Sequence, residues 1–466
     1  MLKKLTEPEV TTEAPFANDA LERKAAIEKL TNLVESTEQP FVLSIEAPWG
    51  WGKTTFIRMW KAYLESKGHV CLHFNAWEND FVDDPLVAFL GEMHRLVEKE
   101  MKELDAKEPV KVHWGEVKRI GAGVLRKALP LAVQLATQGL LSQETVKRAA
   151  GVLSEGADEV AEFASTLAKE RLDKYESERT GIKDFRSNLE KLAEAIVKKE
   201  GLVSPLVFFI DEMDRCRPDF AIALLERIKH LFNVKRVVFV LAVDRAQLNQ
   251  SVKTLYGLEM EPDGYLRRFI DLAYALPPPS PEKFAEALYC RFALEECFGH
   301  RPGTHDHARI LVKGFWIYAQ ALGLSLRTQE QCFTEINLVL RTAPNICRFP
   351  APLCFLVTLR AFRPEIFRNL REGRVDIDAA LKWLSKVGDE WFRQFAEATL
   401  ISGFLDDESR QKRLEALKQQ AASGEGPTKQ HAETVQKLLG VIWENWSFSN
   451  AALHIVSQLE MTSQFR

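Results

Sequence analysis

A loop rich in glycine and tryptophan carries residue types that bind phosphate groups. Lys53 and Thr54 follow a glycine, and the loop lies directly after an apolar run and before a helical pattern. Glycines let backbone N–H groups turn toward an anion, and the N-terminus of the following helix adds a favourable dipole. In a P-loop with this spacing, Lys53 contacts the β- and γ-phosphates and the Thr54 hydroxyl binds Mg²⁺. We therefore predict a nucleoside triphosphate site formed by Ala47, Pro48, Trp49, Gly50, Trp51, Gly52, Lys53, Thr54 and Thr55.

One position departs from the usual P-loop pattern. The pattern GxxxxGK[ST] expects glycine where this sequence has Ala47, so the first turn of the loop must form with a Cβ atom present. This departure weakens the motif without removing it. On this loop alone, a glycine-rich turn with an incidental lysine is the alternative interpretation.

A second apolar run ends in two adjacent acidic residues. Residues 206–210 are continuously apolar, as in a strand buried on both faces, and Asp211 and Glu212 follow directly. Acidic side chains at the end of such a strand can face a nucleotide at the same edge of an α/β sheet. We predict a Walker B strand in which Asp211 binds Mg²⁺ and Glu212 orients or deprotonates the attacking water. Such acids also solvate ordinary loops, but their pairing with a P-loop favours the catalytic interpretation.

The predicted strands indicate the class of P-loop protein. A strand at 69–74 lies between the P-loop and Asp211 in the sequence, and another at 236–243 follows them. This arrangement favours the additional-strand type of P-loop ATPase, which uses a catalytic glutamate, over a simple kinase. Asp244 is then in the position of a sensor 1 residue, which contacts the γ-phosphate or the attacking water. Capping of the next helix, 245–254, is an equally good interpretation of Asp244.

The sequence predicts an α/β fold with a parallel P-loop NTPase sheet, a helical insertion and a C-terminal helical domain. Residues 1–98 and 183–278 are predicted to form the two halves of the α/β core, since both alternate strands with helices. Residues 99–182 between them form the helical insertion. Beyond a proline-rich segment, residues 279–466 form the helical domain, which a polar loop at 421–428 interrupts.

The composition indicates a large globular protein. The 466 residues are 46% hydrophobic, the formal net charge is −4, and the seven cysteines include no CxxC pair. These features indicate neither a disulfide framework nor a zinc site. They give no overall basic signature of nucleic-acid binding, but a local patch among the 62 Lys and Arg residues leaves a nucleic-acid partner open. Residues 1–14 lack the apolar core of a signal peptide, and the most apolar segment, 128–141, is shorter than the about 20 residues of a membrane span. We therefore expect a cytoplasmic protein without a membrane span.

Three motifs in this order resemble those of the KAP family of P-loop NTPases. They are Trp49-Gly50-Trp51-Gly52-Lys53-Thr54, Asn75-Ala76-Trp77 and Ile210-Asp211-Glu212-Met213-Asp214-Arg215-Cys216. The family patterns are WGxGK[ST], FNAW and IDDxDRC, so Glu212 stands where the family has its second aspartate. Segments 265–270 and 324–328 are also similar to family motifs before the end of the sheet and after the core. The resemblance covers roughly residues 19–345, excluding the insertion.

The resemblance implies a Mg²⁺-dependent ATPase with an AAA+-like core and a helical lid. Such proteins are frequent in bacterial signalling and in defence against phages and mobile elements. Many members carry membrane helices between the Walker motifs. The insertion in this sequence is too polar to span a membrane, so the resemblance implies a soluble member.

Further polar residues acquire roles from this reasoning. Arg267 or Arg268 would stabilise the transition state in trans across a subunit interface, and Arg327 would act as a sensor 2 residue that binds the nucleotide from the helical domain. Asn75 would position water or the γ-phosphate. Surface salt bridges for the arginines and a strand-end cap for Asn75 are the alternatives.

Two functions are consistent with the sequence. An ATPase requires ATP, Mg²⁺, a positioned Glu212 and an oligomer that completes the site. A nucleotide-gated switch or scaffold would bind ATP with negligible turnover and hold partner proteins through its helical domain. Ala47 favours the switch, whereas Glu212 and the arginine pair favour the ATPase. We favour the ATPase, acting as a homo-oligomer or in a complex with a partner protein.

Overall fold

The computed structural model describes residues 9–82, 203–229, 233–298, 304–372 and 381–463 except 383 and 445, with a few further residues in 85–92 and 183–194. The predicted insertion and its apolar segment 128–141 lie outside the described residues. The chain forms two compact units, one containing residues 9–19 and 23–277 and the other containing residues 20–22 and 278–466.

The first unit contains a parallel five-stranded sheet, which confirms the predicted fold class. Its strands are β1 (Phe41–Glu46), β2 (His69–Asn75), β3 (Val203–Asp211), β4 (Val237–Val243) and β5 (Leu272–Ala275). Their order is β2-β3-β4-β1-β5. The strand inserted between the P-loop strand β1 and the Walker B strand β3 is therefore β4. The strand that separates them in the sequence, β2, lies at the edge of the sheet. It pairs with β3, and β3 pairs with β4 on its other side.

Helices pack on both faces of this sheet, which explains the continuous apolar runs of β3 and β4. One face contacts α1 (Lys24–Glu35) and α2 (Lys53–Ser66), and the other contacts α3 (Pro218–Lys229) and α4 (Arg245–Tyr256). A short helix, α5 (Pro262–Leu266), precedes β5. Helix α1 begins at Lys24. The Asp19 carboxylate lies before the helix and accepts hydrogen bonds from the backbone N–H groups of Arg23 and Lys24, both at 2.9 Å.

The second unit is helical, as predicted. Its elements are α6 (Pro281–Arg291), α7 (Glu295–Phe298), α8 (Thr304–Ala321), α9 (Leu326–Thr342), α10 (Pro350–Phe362), α11 (Pro364–Arg371), α12 (Glu390–Phe404), α13 (Asp407–Ser423), α14 (Gly426–Glu444) and α15 (Trp446–Ser463). The predicted polar loop at 421–428 was too long, because α13 and α14 are separated by only Gly424 and Glu425. Gly426 has φ 58°, and this left-handed conformation lets a two-residue connection reverse the chain.

No helix among the described residues combines the length and the apolar character needed to cross a membrane.

A buried hydrogen bond joins the two helices behind the P-loop. Trp60 Nε1 of α2 donates to Thr31 Oγ1 of α1 at 3.0 Å, and both side chains are fully buried. We expect Thr31→Val to lower the free energy of unfolding by about 1–3 kcal/mol, because the indole N–H would be buried without an acceptor. Thr31→Ser keeps the acceptor and is the control. Chemical denaturation would measure both variants, and equal losses in the two would contradict this role for the hydrogen bond.

Candidate functional site

The predicted P-loop connects β1 to α2 at the carboxyl edge of the sheet. Gly50 and Gly52 have φ angles of 79° and 81°, in the left-handed region that glycine adopts without steric cost. Gly52 is the N-cap residue of α2, which begins with Lys53, Thr54 and Thr55. The loop therefore presents a helix N-terminus next to flexible glycines, an arrangement suited to an anion.

Ala47 does not take the conformation that would require glycine. Only Glu22, Glu212, Arg236 and Ala293 have positive φ angles among the described non-glycine residues. The Ala47 N–H donates to Val243 O at 3.2 Å, so this residue extends the pairing of β1 with β4. A Cβ atom at this position therefore creates no backbone strain.

The ammonium group of Lys53 is buried inside the loop. Nζ donates to Ala47 O at 2.7 Å and lies 3.9 Å from Asp214 Oδ2. Burial lowers the pKa of Lys53 although Asp214, Asp244 and Asp211 oppose this shift. Burial also raises the pKa of Asp214, against the attraction of Lys53. Because desolvation outweighs the ion pair for both groups, Lys53 would be stabilised by a further anion such as a nucleotide phosphate.

Trp49 links the loop to the ends of two other strands. Its indole N–H donates to the Asp214 carboxylate, and its backbone N–H donates to Asp244 Oδ2 at 3.0 Å. The other oxygen, Asp244 Oδ1, accepts from Ala246 N at 3.0 Å and from Gln247 N at 3.4 Å. Asp244 therefore caps α4 and contacts the P-loop at the same time, and its role as a sensor stays a prediction.

The Walker B strand β3 ends in a buried acid followed by an unusual backbone conformation. Asp211 is 1% exposed, and its Oδ1 accepts the Glu212 N–H at 2.8 Å. Asp211 Oδ2 is buried without a hydrogen-bond partner. Glu212 has φ 60° and ψ 21°, the left-handed region that non-glycine residues rarely occupy. Backbone strain of this kind clusters at functional sites.

Asn75 holds the Glu212 side chain from the neighbouring strand. The parallel register pairs Asn75 of β2 with Asp211 of β3. Asn75 Nδ2 donates to Glu212 Oε2 at 3.2 Å, and Asn75 Oδ1 accepts the N–H groups of Trp77 and Glu78 at 3.1 and 3.3 Å. Asn75 is therefore a strand-end cap that also contacts the predicted base.

Arg215 binds the second oxygen of the same carboxylate. Its Nη1 atom lies 2.6 Å from Glu212 Oε1. The Arg215 guanidinium carbon is also 5.8 Å from the centre of the Trp77 ring, within the range of a cation–π contact. In this conformation both oxygens of Glu212 are occupied by protein groups.

The described residues fit a divalent cation only together with a nucleotide. Among them, no group of three or more His, Cys, Asp and Glu side chains could hold a metal. The free Asp211 Oδ2 is an anionic oxygen of the kind that Mg²⁺ binds. A cation there would need further ligands from nucleotide phosphates and from the Thr54 hydroxyl.

Comparison with known families decides the class of this site. A profile of the KAP family P-loop domain matches residues 23–342. The chain belongs to the KAP family. This membership supports nucleotide binding by the P-loop domain, and the assignment of the loop at 47–55 to the nucleotide stays a prediction. No curated protein matches the chain. Among solved structures, the ORC2 protein of Aeropyrum pernix (ADPNP-ADP complexes) aligns over 94% of this chain and 97% of its own, with 10% identity and a TM-score of 0.33.

The predicted arginines of this KAP protein take part in none of the hydrogen bonds and ion pairs described above. Arg267 and Arg268 are exposed on the turn after α5, and Arg268 lies 5.9 Å from the centre of the Tyr265 ring. Arg327 is exposed at the second position of α9, in the helical unit. Their roles in trans and as sensor 2 stay predictions.

Sequence reasoning did not single out Asp214 or Arg215 as site residues. The spacing of Glu212 and Arg215, three residues apart in a helical turn, could have indicated their ion pair. The contact of Trp49 with Asp214 has no local signal, because 165 residues separate them.

The backbone geometry predicts different effects on nucleotide affinity for two exchanges between glycine and alanine in the loop. We expect Ala47→Gly to leave nucleotide affinity unchanged within about twofold, because residue 47 does not need positive φ. Gly50→Ala should weaken binding about tenfold, since a Cβ atom in the left-handed region costs roughly 1–2 kcal/mol. Equilibrium binding of a fluorescent ATP analogue would measure both. A large gain in affinity from Ala47→Gly would show that the alanine impairs the loop.

Proposed function

We propose that this KAP protein hydrolyses ATP with a bound Mg²⁺ ion and uses the reaction to drive conformational signalling or remodelling. The observation that carries the proposal is the position of Glu212. Its carboxylate follows Asp211 directly, at the edge where the P-loop ends, and Asn75 Nδ2 holds it at 3.2 Å. A fixed carboxylate next to a metal-binding acid is what in-line attack by water requires.

The proposed roles follow from the contacts of each residue. Lys53 exchanges its bond with Ala47 O for the phosphates, and the glycine-rich loop donates backbone N–H groups to them. Asp211 Oδ2 and the Thr54 hydroxyl would hold Mg²⁺, and the ion would supply positive charge beside the phosphate oxygens. Glu212 accepts the proton of the attacking water. Asn75 is a positioning residue that orients Glu212.

In this proposal Glu212 leaves Arg215 before it serves as a base. An ion pair with a guanidinium stabilises the ionised carboxylate and so opposes transfer of a proton to it, which makes the conformation described here a resting state. Nucleotide binding or a neighbouring subunit would displace Arg215.

The same ion pair supports the second candidate, an ATP-gated switch that recruits partner proteins without turnover. If Arg215 stayed on Glu212 with nucleotide bound, the chain would bind ATP and fail to hydrolyse it. Ala47 no longer supports this candidate, because its backbone is unstrained.

We also propose that the protein acts as a homo-oligomer, or with a partner protein bound through the helical unit, in the cytoplasm. The exposed pair Arg267 and Arg268 supports a site completed across a subunit interface. All seven cysteines are free, as expected in a reducing compartment. The proposed setting is bacterial signalling or defence against phages and mobile elements, which is the setting implied by the family resemblance.

Phosphate release tests the proposed reaction. Wild-type protein with Mg²⁺ and ATP should release phosphate, and Lys53→Ala should lose both ATP binding and turnover. Glu212→Gln should bind ATP normally and lose at least about 100-fold in rate, because it removes the base. Glu28→Gln, on the surface of α1, is the control and should not change the rate. Binding without phosphate release at any protein concentration would favour the switch instead.

Mixing of variants tests the arginines. The double variant Arg267→Ala/Arg268→Ala should lose about 10³-fold in rate, as should Lys53→Ala. If an arginine acts in trans, a mixture of the two proteins should recover turnover, because a Lys53→Ala subunit still donates its arginines to an intact P-loop. Arg227→Ala, at an exposed position of α3, is the control for loss of a surface arginine. Failure of the mixture to recover activity at any ratio would contradict action in trans.

A further inference from the structure

An arginine directly after Asp244 joins the P-loop strand to α5. Arg245 is the first residue of α4, and its Nη1 atom donates to Glu46 Oε1 at 3.3 Å. Glu46 is the last residue of β1, one position before the P-loop. The Nε atom of Arg245 donates to Asp263 Oδ1 at 2.9 Å, and Asp263 lies in the first turn of α5. Arg245 therefore ties the start of α5 to the end of the sheet.

The Asp263 carboxylate also acts on the first arginine after α5. Asp263 and Arg267 are four residues apart, and the Arg267 N–H donates to Asp263 O at 3.1 Å, so the two residues lie on the same face of one helical turn. Hydrogen bonds from Arg245 and Asn249 lower the pKa of Asp263. The positive charge of Arg267 acts on the same carboxylate in the same direction. Charges of opposite sign therefore alternate along the series Glu46, Arg245, Asp263 and Arg267.

Buried contacts fix one side of α5, and the ion pair holds the other. Tyr265 is 6% exposed, and its hydroxyl donates to Glu226 Oε1 at 2.7 Å. The Asp263 side chain, by contrast, is 49% exposed, and the Arg245 side chain that contacts it is 23% exposed. The contact between Arg245 and Asp263 therefore orients the face of the turn that carries Arg267.

The two arginines after α5 differ in what their side chains contact. The Arg268 guanidinium carbon lies 5.9 Å from the centre of the Tyr265 ring, within the range of a cation–π contact. The Arg267 side chain is exposed, and within the described part of the chain it makes no hydrogen bond or ion pair. Its guanidinium is therefore free to contact a second molecule, while Asp263 holds the turn beneath it.

We infer that Arg267 is the arginine that a subunit supplies to the nucleotide site of its neighbour, and that Arg245 is a positioning residue that orients it through Asp263. This inference rests on the proposed function, in which a subunit interface completes the site, and it specifies which arginine acts there and what holds it. A guanidinium stabilises a transferring phosphoryl group only when its donors meet the phosphate oxygens, so a shift of about 1 Å costs roughly 100-fold in rate.

Single substitutions test the choice between the arginines. Arg267→Ala should lose about 10³-fold in the rate of phosphate release, because it removes the charge that stabilises the transition state. Arg268→Ala is the matched control on the same exposed turn, and it should lose less than about fivefold, because it removes only a surface contact. Both variants should bind the fluorescent ATP analogue as wild type does. An equal or larger loss of rate in Arg268→Ala would overturn the choice of Arg267.

Mixtures of variants test the role of Arg245. Arg245→Ala should lose about 10- to 100-fold in rate and keep its ATP affinity within about twofold, because its own P-loop is intact. A mixture with Lys53→Ala should recover turnover, since the Lys53→Ala subunit supplies a correctly held arginine. A mixture with the double variant Arg267→Ala/Arg268→Ala should not exceed the rate of Arg245→Ala alone, because neither subunit supplies one. Asp263→Ala removes the same ion pair from its exposed side and should give the same result in both mixtures.

The possible results separate this inference from the proposed function. Absence of turnover in wild-type protein, or in the mixture of Lys53→Ala with the double arginine variant, would contradict the proposed function and the inference with it. If that mixture recovers but Arg245→Ala recovers only with the double variant, Arg245 serves its own P-loop through Glu46 and the inference is overturned. Recovery with neither partner, or a large loss of ATP affinity, would show a structural role and also overturn it. Asp263→Ala decides the same point if Arg245→Ala fails to fold.

Discussion

The chemical groups of the nucleotide site come mainly from the carboxyl ends of parallel strands, so the register between the strands decides which groups meet. The pairing of Asn75 with Asp211 brings the amide of β2 to Glu212, and the bond from Ala47 N to Val243 O sets the P-loop beside Asp244. A slip of one residue in β2 would turn Asn75 to the opposite face. Such a slip would also remove Leu72 and Phe74 of β2 from the apolar cluster that α3 and α4 cover, which makes it costly and is how the core fixes the site.

Charge balance around Lys53 is the second constraint. One buried ammonium group faces Asp211, Asp214 and Asp244, yet burial still lowers its pKa. Lys53 therefore contacts a carbonyl oxygen of its own loop and the carboxyl group of Asp214, whose pKa is raised by burial. These contacts satisfy the Lys53 ammonium group when no ligand is bound. Because they offset its desolvation only in part, a phosphate that replaces them would lower the free energy further. Trp49 donates hydrogen bonds to Asp214 and Asp244, so the conformation of the loop is coupled to that of the Walker B segment.

Much of this could be predicted from sequence because the signals are local. The apolar run at 236–243 predicted β4 to within one residue, the run at 206–210 located β3 although this strand begins at Val203, and the glycines at positions 50 and 52 indicated the left-handed turns. The contacts of Asn75 and Trp49 could not be predicted, since they depend on which strands become neighbours. The short connection between α13 and α14 was missed for a different reason: a polar segment can continue a surface helix, and only the conformation of Gly426 limits the turn.

The restraint on Glu212 is weak enough to be released, and this bears on the choice between an ATPase and a switch. The Arg215 side chain is 34% exposed and the Glu212 side chain 12%, so solvent screens their ion pair in part and it contributes on the order of 1 kcal/mol. The hydrogen bond from Asn75 adds about 1 kcal/mol. The free energy needed to break the ion pair before each turnover would slow hydrolysis by less than about tenfold. This is small beside the rate enhancement expected of a positioned base. The Arg215 contact can therefore tune hydrolysis, but it is too weak by itself to hold the chain as a switch without turnover.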